Sequence, residues 1–201
     1  MKIELNHNFI NKAHDLNALL KDVNKLSTFC NRLEKQSLLY PDRYDPEKYK
    51  GDGFELLIKA LIKLSPIDNL IGISNYEPVL KDDIGIDGKG IGIDGYVTTV
   101  QIKYRTNNTQ QLTANKDHLS NFTSASKDIF LSEAKNDNSI LNHIDNKNRM
   151  LIVTTAEGLH HFTDNEMFAN KVNVIGYKHL RQLLDNNINF WNTFRFLLNI
   201  K

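Results

Sequence analysis

Two short stretches hold the residue types from which a phosphoryl-transfer site can be assembled. Asp82-Asp83-Ile84-Gly85-Ile86-Asp87-Gly88 sets an acid on a glycine-flanked turn or strand end, and Val100-Gln101-Ile102-Lys103-Tyr104-Arg105 sets Gln-x-Lys on the strand that follows. A carboxylate at Asp87 suits a hard divalent cation, which polarises a phosphoryl oxygen and lowers the pKa of a bound water. A lysine at 103 orients that water or stabilises the charge that builds on the phosphate. Gln101 offers an amide oxygen to the metal or a hydrogen bond to the water, and the backbone carbonyl of Ile102 is a further candidate ligand. The glycines beside the acid allow close backbone approach and unusual dihedrals. Hydrolysis of a phosphodiester asks for these parts.

Ile84-Gly85-Ile86-Asp87-Gly88 followed by Val100-Gln101-Ile102-Lys103-Tyr104 resembles the PD-(D/E)xK nuclease superfamily, in its Mrr-like restriction-endonuclease branch, which is itself similar to archaeal Holliday-junction resolvases. The pattern there is a helix bearing a Glu, a Gly-hydrophobic-Asp-Gly turn, and a strand with Gln-x-Lys or Glu-x-Lys. The match runs from Gly53 to Arg105, and the hydrophobic strand ending in Thr154-Thr155 extends the resemblance over residues 50–180. It implies an α/β fold with a restriction-endonuclease-like mixed sheet flanked by helices. The activity implied is a DNA endonuclease dependent on Mg²⁺, with Mn²⁺ as a substitute. Carried over position by position, Asp87 is the metal-binding acid, Gln101 the second polar residue of the metal site, and Lys103 the catalytic lysine. Glu55 is the helix acid that completes the metal site. Glutamine stands at 101 where the superfamily more often has an acid, which removes one negative charge from the site.

A second acid competes with Asp87. Asp94, in Gly92-Ile93-Asp94-Gly95, is also glycine-flanked and lies seven residues before Gln101, against fourteen for Asp87. A tight hairpin presents Asp94 and a longer one Asp87; the resemblance favours Asp87. Arg105, Lys89 and Lys81 cluster near the proposed site and suit phosphate contact. Lys116 and His118 follow the catalytic strand closely enough to line the same cleft, although a helix start at Thr113 accounts for them without DNA. His160 and His161 form a tempting pair, but no further Cys or His stands at zinc-ligand spacing, so a loop or core role is expected.

The elements that position these groups are legible from periodicity. Leu16, Leu19, Leu20, Val23, Leu26, Phe29 and Leu33 recur at three and four, as in an amphipathic helix over residues 12–37, and Pro41 and Pro46 then break it. The plain reading is an N-terminal helical arm and linker over residues 1–48, before a nuclease domain over 49–201. A helix capped at Asp52 carries Phe54, Leu57, Ile58, Leu61, Ile62 and Leu64 on one stripe. Glu55, read on that helix alone, is a first-turn acid paired with Lys59. Leu70–Ile73 is a short strand, and Tyr96–Tyr104 is the clearest strand, with Gln101 and Lys103 on one face and Val100, Ile102 and Tyr104 on the other. A polar or helical stretch covers 112–135. Met150–Thr155 reads as a fully buried strand, Val172–Tyr177 as another, and helices follow at 178–186 and 189–199. On the last helix Trp191, Phe190, Phe194, Phe196, Leu197 and Leu198 look like the buried side.

Bulk properties exclude some classes and leave others open. The 201 residues are 40% apolar and 24% charged, enough for a real core in one ordinary domain. Twenty-five basic against 24 acidic residues give a net charge of +1, which neither demands nor forbids a nucleic-acid partner. The single cysteine, Cys30, allows neither an intrachain disulfide nor a cysteine-based zinc cluster, and its apolar surroundings suggest a buried structural thiol. No apolar run approaches the ~20 residues of a membrane span, so no membrane partner is expected and a cytoplasmic location is the default. The expected partner is DNA, with a homodimer suited to double-strand cleavage and no small-molecule cofactor. The alternative is a catalytically inactive nuclease-fold module that binds DNA or serves assembly.

Overall fold

The computed structural model describes residues 5–64, 72–79, 85–113, 119–134, 149–160 and 172–200. Two compact units account for the chain: a helical unit from residues 1–65 and 177–201, and a sheet unit from residues 66–176. The protein is thus of mixed α/β class. Among the described residues no helix is long and apolar enough to cross a membrane.

The helical unit contains α1 (Asn8–Lys12), α2 (Leu16–Leu20), α3 (Leu26–Ser37) and α4 (Pro46–Leu64), joined by two helices from beyond the sheet, α6 (Tyr177–Leu184) and α7 (Ile188–Leu197). The stretch expected as one helix over 12–37 is broken: α1 ends at Lys12, and α2 and α3 follow as separate helices. Asp15 caps α2 by accepting from the Ala18 amide, and Asp22 adopts a left-handed φ of 58° that no helix continues through. The apolar positions nonetheless face one core: Leu19, Leu20, Val23, Leu26, Phe29 and Leu33 are all buried. Cys30 is buried with them. α3 has no side-chain cap of its own at Lys25; Asp185, after α6, accepts from the Leu26 amide at 2.9 Å instead. Arg195 of α7 likewise donates to the carbonyls of Leu20 and Val23. On α7, Phe190, Trp191 and Phe194 are buried as expected, whereas Phe196 is 78% exposed.

α4 starts earlier than its glycines suggest. Pro46 opens it rather than breaking a helix, because proline at the first helical position lacks only an N–H that would go unpaired anyway. Asp45 caps it, accepting from the Lys48 amide at 2.8 Å. Asp52, expected as the cap, instead accepts from the Tyr44 hydroxyl. The expected division between residues 48 and 49 falls within this helix.

The sheet unit is built on five strands in the order β1 (Ile73–Pro78), β2 (Gly88–Gly92), β3 (Val97–Lys103), β5 (Met150–Thr154) and β7 (Asn173–Ile175). β1, β2 and β3 form an antiparallel meander, while β5 runs parallel to β3 and β7 parallel to β5. Of the first expected strand, Leu70 and Ile71 lie outside the described residues. A small second sheet pairs β4 (Gln111–Leu112) with β6 (Gly158–Leu159) in parallel. α5 (Leu119–Ala134) presents Leu119, Phe122, Ser126 and Phe130 at helical spacing. Three of these join Ile86, Met150, Ile152 and Val172 in the core. All five residues of β5 are buried, as its unbroken apolar run demands.

Candidate functional site

β3 carries the strand half of the site. Its register with β5 pairs Thr99 with Met150, Gln101 with Ile152 and Lys103 with Thr154, so Thr99, Gln101 and Lys103 share the face on which α5 packs. Gln101 is only 1% exposed. Its Nε2 donates to the Gly85 carbonyl at 2.9 Å, while its Oε1 is buried and has no hydrogen-bond partner among the described residues. Buried amide oxygens of this kind are ordinarily paired with protein or with ordered water. Lys103, next on this face, is half-buried, and its ammonium makes no hydrogen bond or ion pair among the described residues.

The acid half comes from the segment just before β2. Gly88, the first residue of β2, pairs with Val100, and the Asp87 amide donates to the Val100 carbonyl at 2.9 Å. The Asp87 carboxylate oxygen Oδ2 accepts from the Ile102 amide, so this side chain stands where a backbone carbonyl would stand in a continued ladder. The Asp87 carbonyl is taken up by the Val79 amide and the Tyr76 hydroxyl. Glycine is required on both sides. Gly85 has a φ of +79°, and a Cβ on Gly88 would lie 2.3 Å from the Tyr76 ring. The acid is therefore bonded to the backbone of Val100 and Ile102, the two residues that flank Gln101.

Asp94 is placed differently. It is exposed in the turn joining β2 to β3, where its Oδ1 accepts from the Tyr96 amide at 3.2 Å. That turn abuts the start of β3 at Val97, whereas Gln101 and Lys103 close the strand's other end. The hairpin turns tightly at residues 93–96, and of the two acids Asp87 is the one beside Gln101.

Glu55 belongs to the helical unit. Because α4 begins at Pro46, Glu55 lies beyond the first turn, and it does not pair with Lys59. Its carboxylate, a third exposed, lies 3.5 Å from His7 Nε2, while Lys59 donates to the Asn6 carbonyl. His7 Nδ1 accepts from the Phe9 amide as the cap of α1, which leaves Nε2 to face Glu55. Burial, aided by the nearby charge of Lys63, holds the Lys59 ammonium below the usual lysine range. Tyr44 is pushed well above the usual phenol range by burial and by its bond to Asp52, and Glu55 adds to the shift.

Of the candidate phosphate contacts, Lys89 is exposed on β2 opposite Thr99, and Arg105 follows β3 with its guanidinium donating to the Tyr104 carbonyl at 2.6 Å. Lys81, Asp82, Asp83, Lys116, His118 and His161 lie outside the described residues. His160 is exposed, its amide bonded to the Leu112 carbonyl.

No family model, curated protein or solved structure matches the chain.

The donor set suits a hard cation in kind: a carboxylate at Asp87, an unpartnered amide oxygen at Gln101 and the carbonyl of Ile102 are all oxygen ligands. It is poor in charge. Among the described residues no group of three or more His, Cys, Asp or Glu side chains is placed to hold a metal ion. The residues that composition and motif reading passed over are Thr154 and Thr155, whose hydroxyls bond the backbone of Lys103 and Arg105.

Proposed function

We propose that the protein is a metal-dependent DNA endonuclease that hydrolyses phosphodiester bonds, with Asp87, Gln101 and Lys103 as its centre. One observation carries the reading: a fully buried Gln101 is fixed by its amide nitrogen and, among the described residues, leaves its oxygen unpartnered, on the same strand face as a lysine with no partner among them and next to an anchored carboxylate. A hard cation would ligate this oxygen and replace its lost solvation. The mixed sheet, with the acid before its second strand and Gln-x-Lys on its third, supports a restriction-endonuclease-like fold.

Asp87, the Gln101 oxygen and the Ile102 carbonyl would hold Mg²⁺ or Mn²⁺. When bound, the cation supplies Lewis acidity toward a phosphoryl oxygen and an acidified water. Lys103 places its ammonium where negative charge develops on the phosphate and holds the attacking water by hydrogen bond. Asp87, tied to the Ile102 amide, keeps its carboxylate in one orientation and so spends little on reorganisation as charge moves. Lys89 and Arg105 meet the DNA backbone, a sequence-independent contact that weakens with salt. The catalytic assignment uses residues of the sheet unit; Glu55, in the helical unit, is tested as a separate variant.

Cleavage of supercoiled plasmid and of a branched DNA in Mg²⁺ or Mn²⁺, against EDTA, tests the reading. Metal-dependent cutting is expected, reduced by about 10²-fold or more in Lys103→Ala and in Asp87→Ala. Glu55→Gln reports whether the helix acid contributes. A second reading, an inactive DNA-binding or assembly module, draws on the same glutamine and on the low count of acidic ligands. Retained DNA binding with no cutting of either DNA would select it.

A further inference from the structure

The parallel ladder between β3 and β5 ends where Lys103 pairs with Thr154. Beyond it, residues 104–110 run as a loop to β4, and residues 155–157 turn into β6. Two buried hydroxyls continue the pairing where the backbones stop. Thr154 Oγ1 donates to the Lys103 carbonyl at 2.7 Å and accepts from the Ala156 amide at 3.0 Å. Thr155 Oγ1 accepts from the Arg105 amide at 2.6 Å and donates to the Arg105 carbonyl at 2.8 Å. The Thr155 amide adds a bond to the Lys103 carbonyl at 3.2 Å. A hydroxyl has one hydrogen to give, and both threonines spend it on a carbonyl of the chain leaving β3. The far end of the loop is tied as well, the Glu157 amide donating to the Gln110 carbonyl at 2.9 Å.

We propose that Thr154 and Thr155 are positioning residues, a hydroxyl clamp that holds the backbone of Lys103 and Arg105 past the end of the sheet and so aims the two cations at a phosphodiester backbone. The chemical consequence rests on the nuclease reading; the clamp itself rests on the hydrogen bonds. The two hydroxyls divide the work. Thr154 grips Lys103, the residue of the chemical step, and Thr155 grips Arg105, a residue of DNA binding.

The test uses the full chain with Thr154→Val, Thr155→Val and the corresponding serine variants. Valine keeps the shape and removes the hydroxyl; serine keeps the hydroxyl. Steady-state cleavage of a labelled duplex in Mg²⁺ gives kcat and KM, and NMR hydrogen exchange reads the Arg105 amide without reference to activity. Thr155→Val is expected to raise KM about tenfold with kcat within about twofold of wild type. Thr154→Val is expected to lower kcat about tenfold with KM little changed. Both serine variants restore wild-type values, and Arg105 exchange rises about tenfold in Thr155→Val alone. Should either valine variant not fold, the alanine variant at that position takes its place. Parallel losses of kcat that track the melting temperature, with KM unmoved in both, would reduce the threonines to ordinary scaffold and overturn the proposal. Unchanged exchange at Arg105 in Thr155→Val would overturn it too. A wild-type protein that cuts no DNA sinks the nuclease reading instead, and exchange at Arg105 then decides the clamp by itself.

Discussion

The two ends of β3 carry polar residues on the same face of the same strand, yet they are finished in opposite ways. At the start, the Thr99 hydroxyl lies 2.7 Å from that of Ser126 and within bonding reach of the Arg149 carbonyl. Arg149, wholly buried, donates through Nε to the Val97 carbonyl and through Nη2 to Glu133. Its Nη1 finds no hydrogen-bond partner among the described residues, but the guanidinium lies 4.0 Å from the centre of the Phe130 ring, whose π face attracts a cation. At the far end, Gln101 is satisfied on its nitrogen and not on its oxygen, and Lys103 is not paired among the described residues. Polar burial at the first end fastens α5 and β5 to the strand. On the reading proposed above, the Gln101 oxygen and Lys103 at the far end are preorganised for a ligand.

Three substitutions test that contrast. The largest effect is expected at the first end: Arg149→Ala strands Glu133 and the Val97 carbonyl and should cost about 3 kcal/mol, the scale for breaking a buried pair. Urea unfolding measures it, and a loss under about 1 kcal/mol, the scale of one ordinary hydrogen bond, would mean that this end is not a scaffold. Next, Gln101→Leu removes one bond, to the Gly85 carbonyl, so stability should fall by about 1 kcal/mol. Its cleavage rate at saturating Mg²⁺ should fall by about 10²-fold. Equal small losses of both would place Gln101 with the scaffold. The smallest effect is expected from Thr99→Val, about 1 kcal/mol of stability with kcat and KM unchanged, since Ser126 keeps its bond to the Phe122 carbonyl. A cleavage defect there as large as that of Gln101→Leu would erase the distinction between the two ends.

Much of the sheet unit is legible in the sequence because its signals are local. Alternation along Val97–Lys103 assigns Gln101 and Lys103 to one face, and the apolar run Met150–Val153 can only be an interior strand. The helical unit is less legible. Leu16 to Leu33 keeps a helical period across the break between α2 and α3 because the two helices share a core: the spacing records burial, not continuity of the helix. Pro46 reads as a stop from outside and is a start, and Glu55 finds His7 across 48 residues instead of Lys59 one turn away. The threonine clamp has no local signature at all. Two threonines at a strand end are ordinary β-formers until the residues they grip, fifty or so positions earlier, are brought beside them.

The helical unit is discontinuous, and that has a consequence for the order in which the molecule is made. Residues 66–176 are all synthesised before α6 and α7 exist, so the strands can find one another while α3 still lacks Asp185 at its first turn and Trp191 against Phe29. The bonds that close the helical unit join residues 159 to 175 positions apart. Such closures come late, since the intervening chain must be gathered before they give anything back. Until then the core of the helical unit lacks the side chains of Trp191 and Phe194, and Phe29 stands without the ring it packs beside.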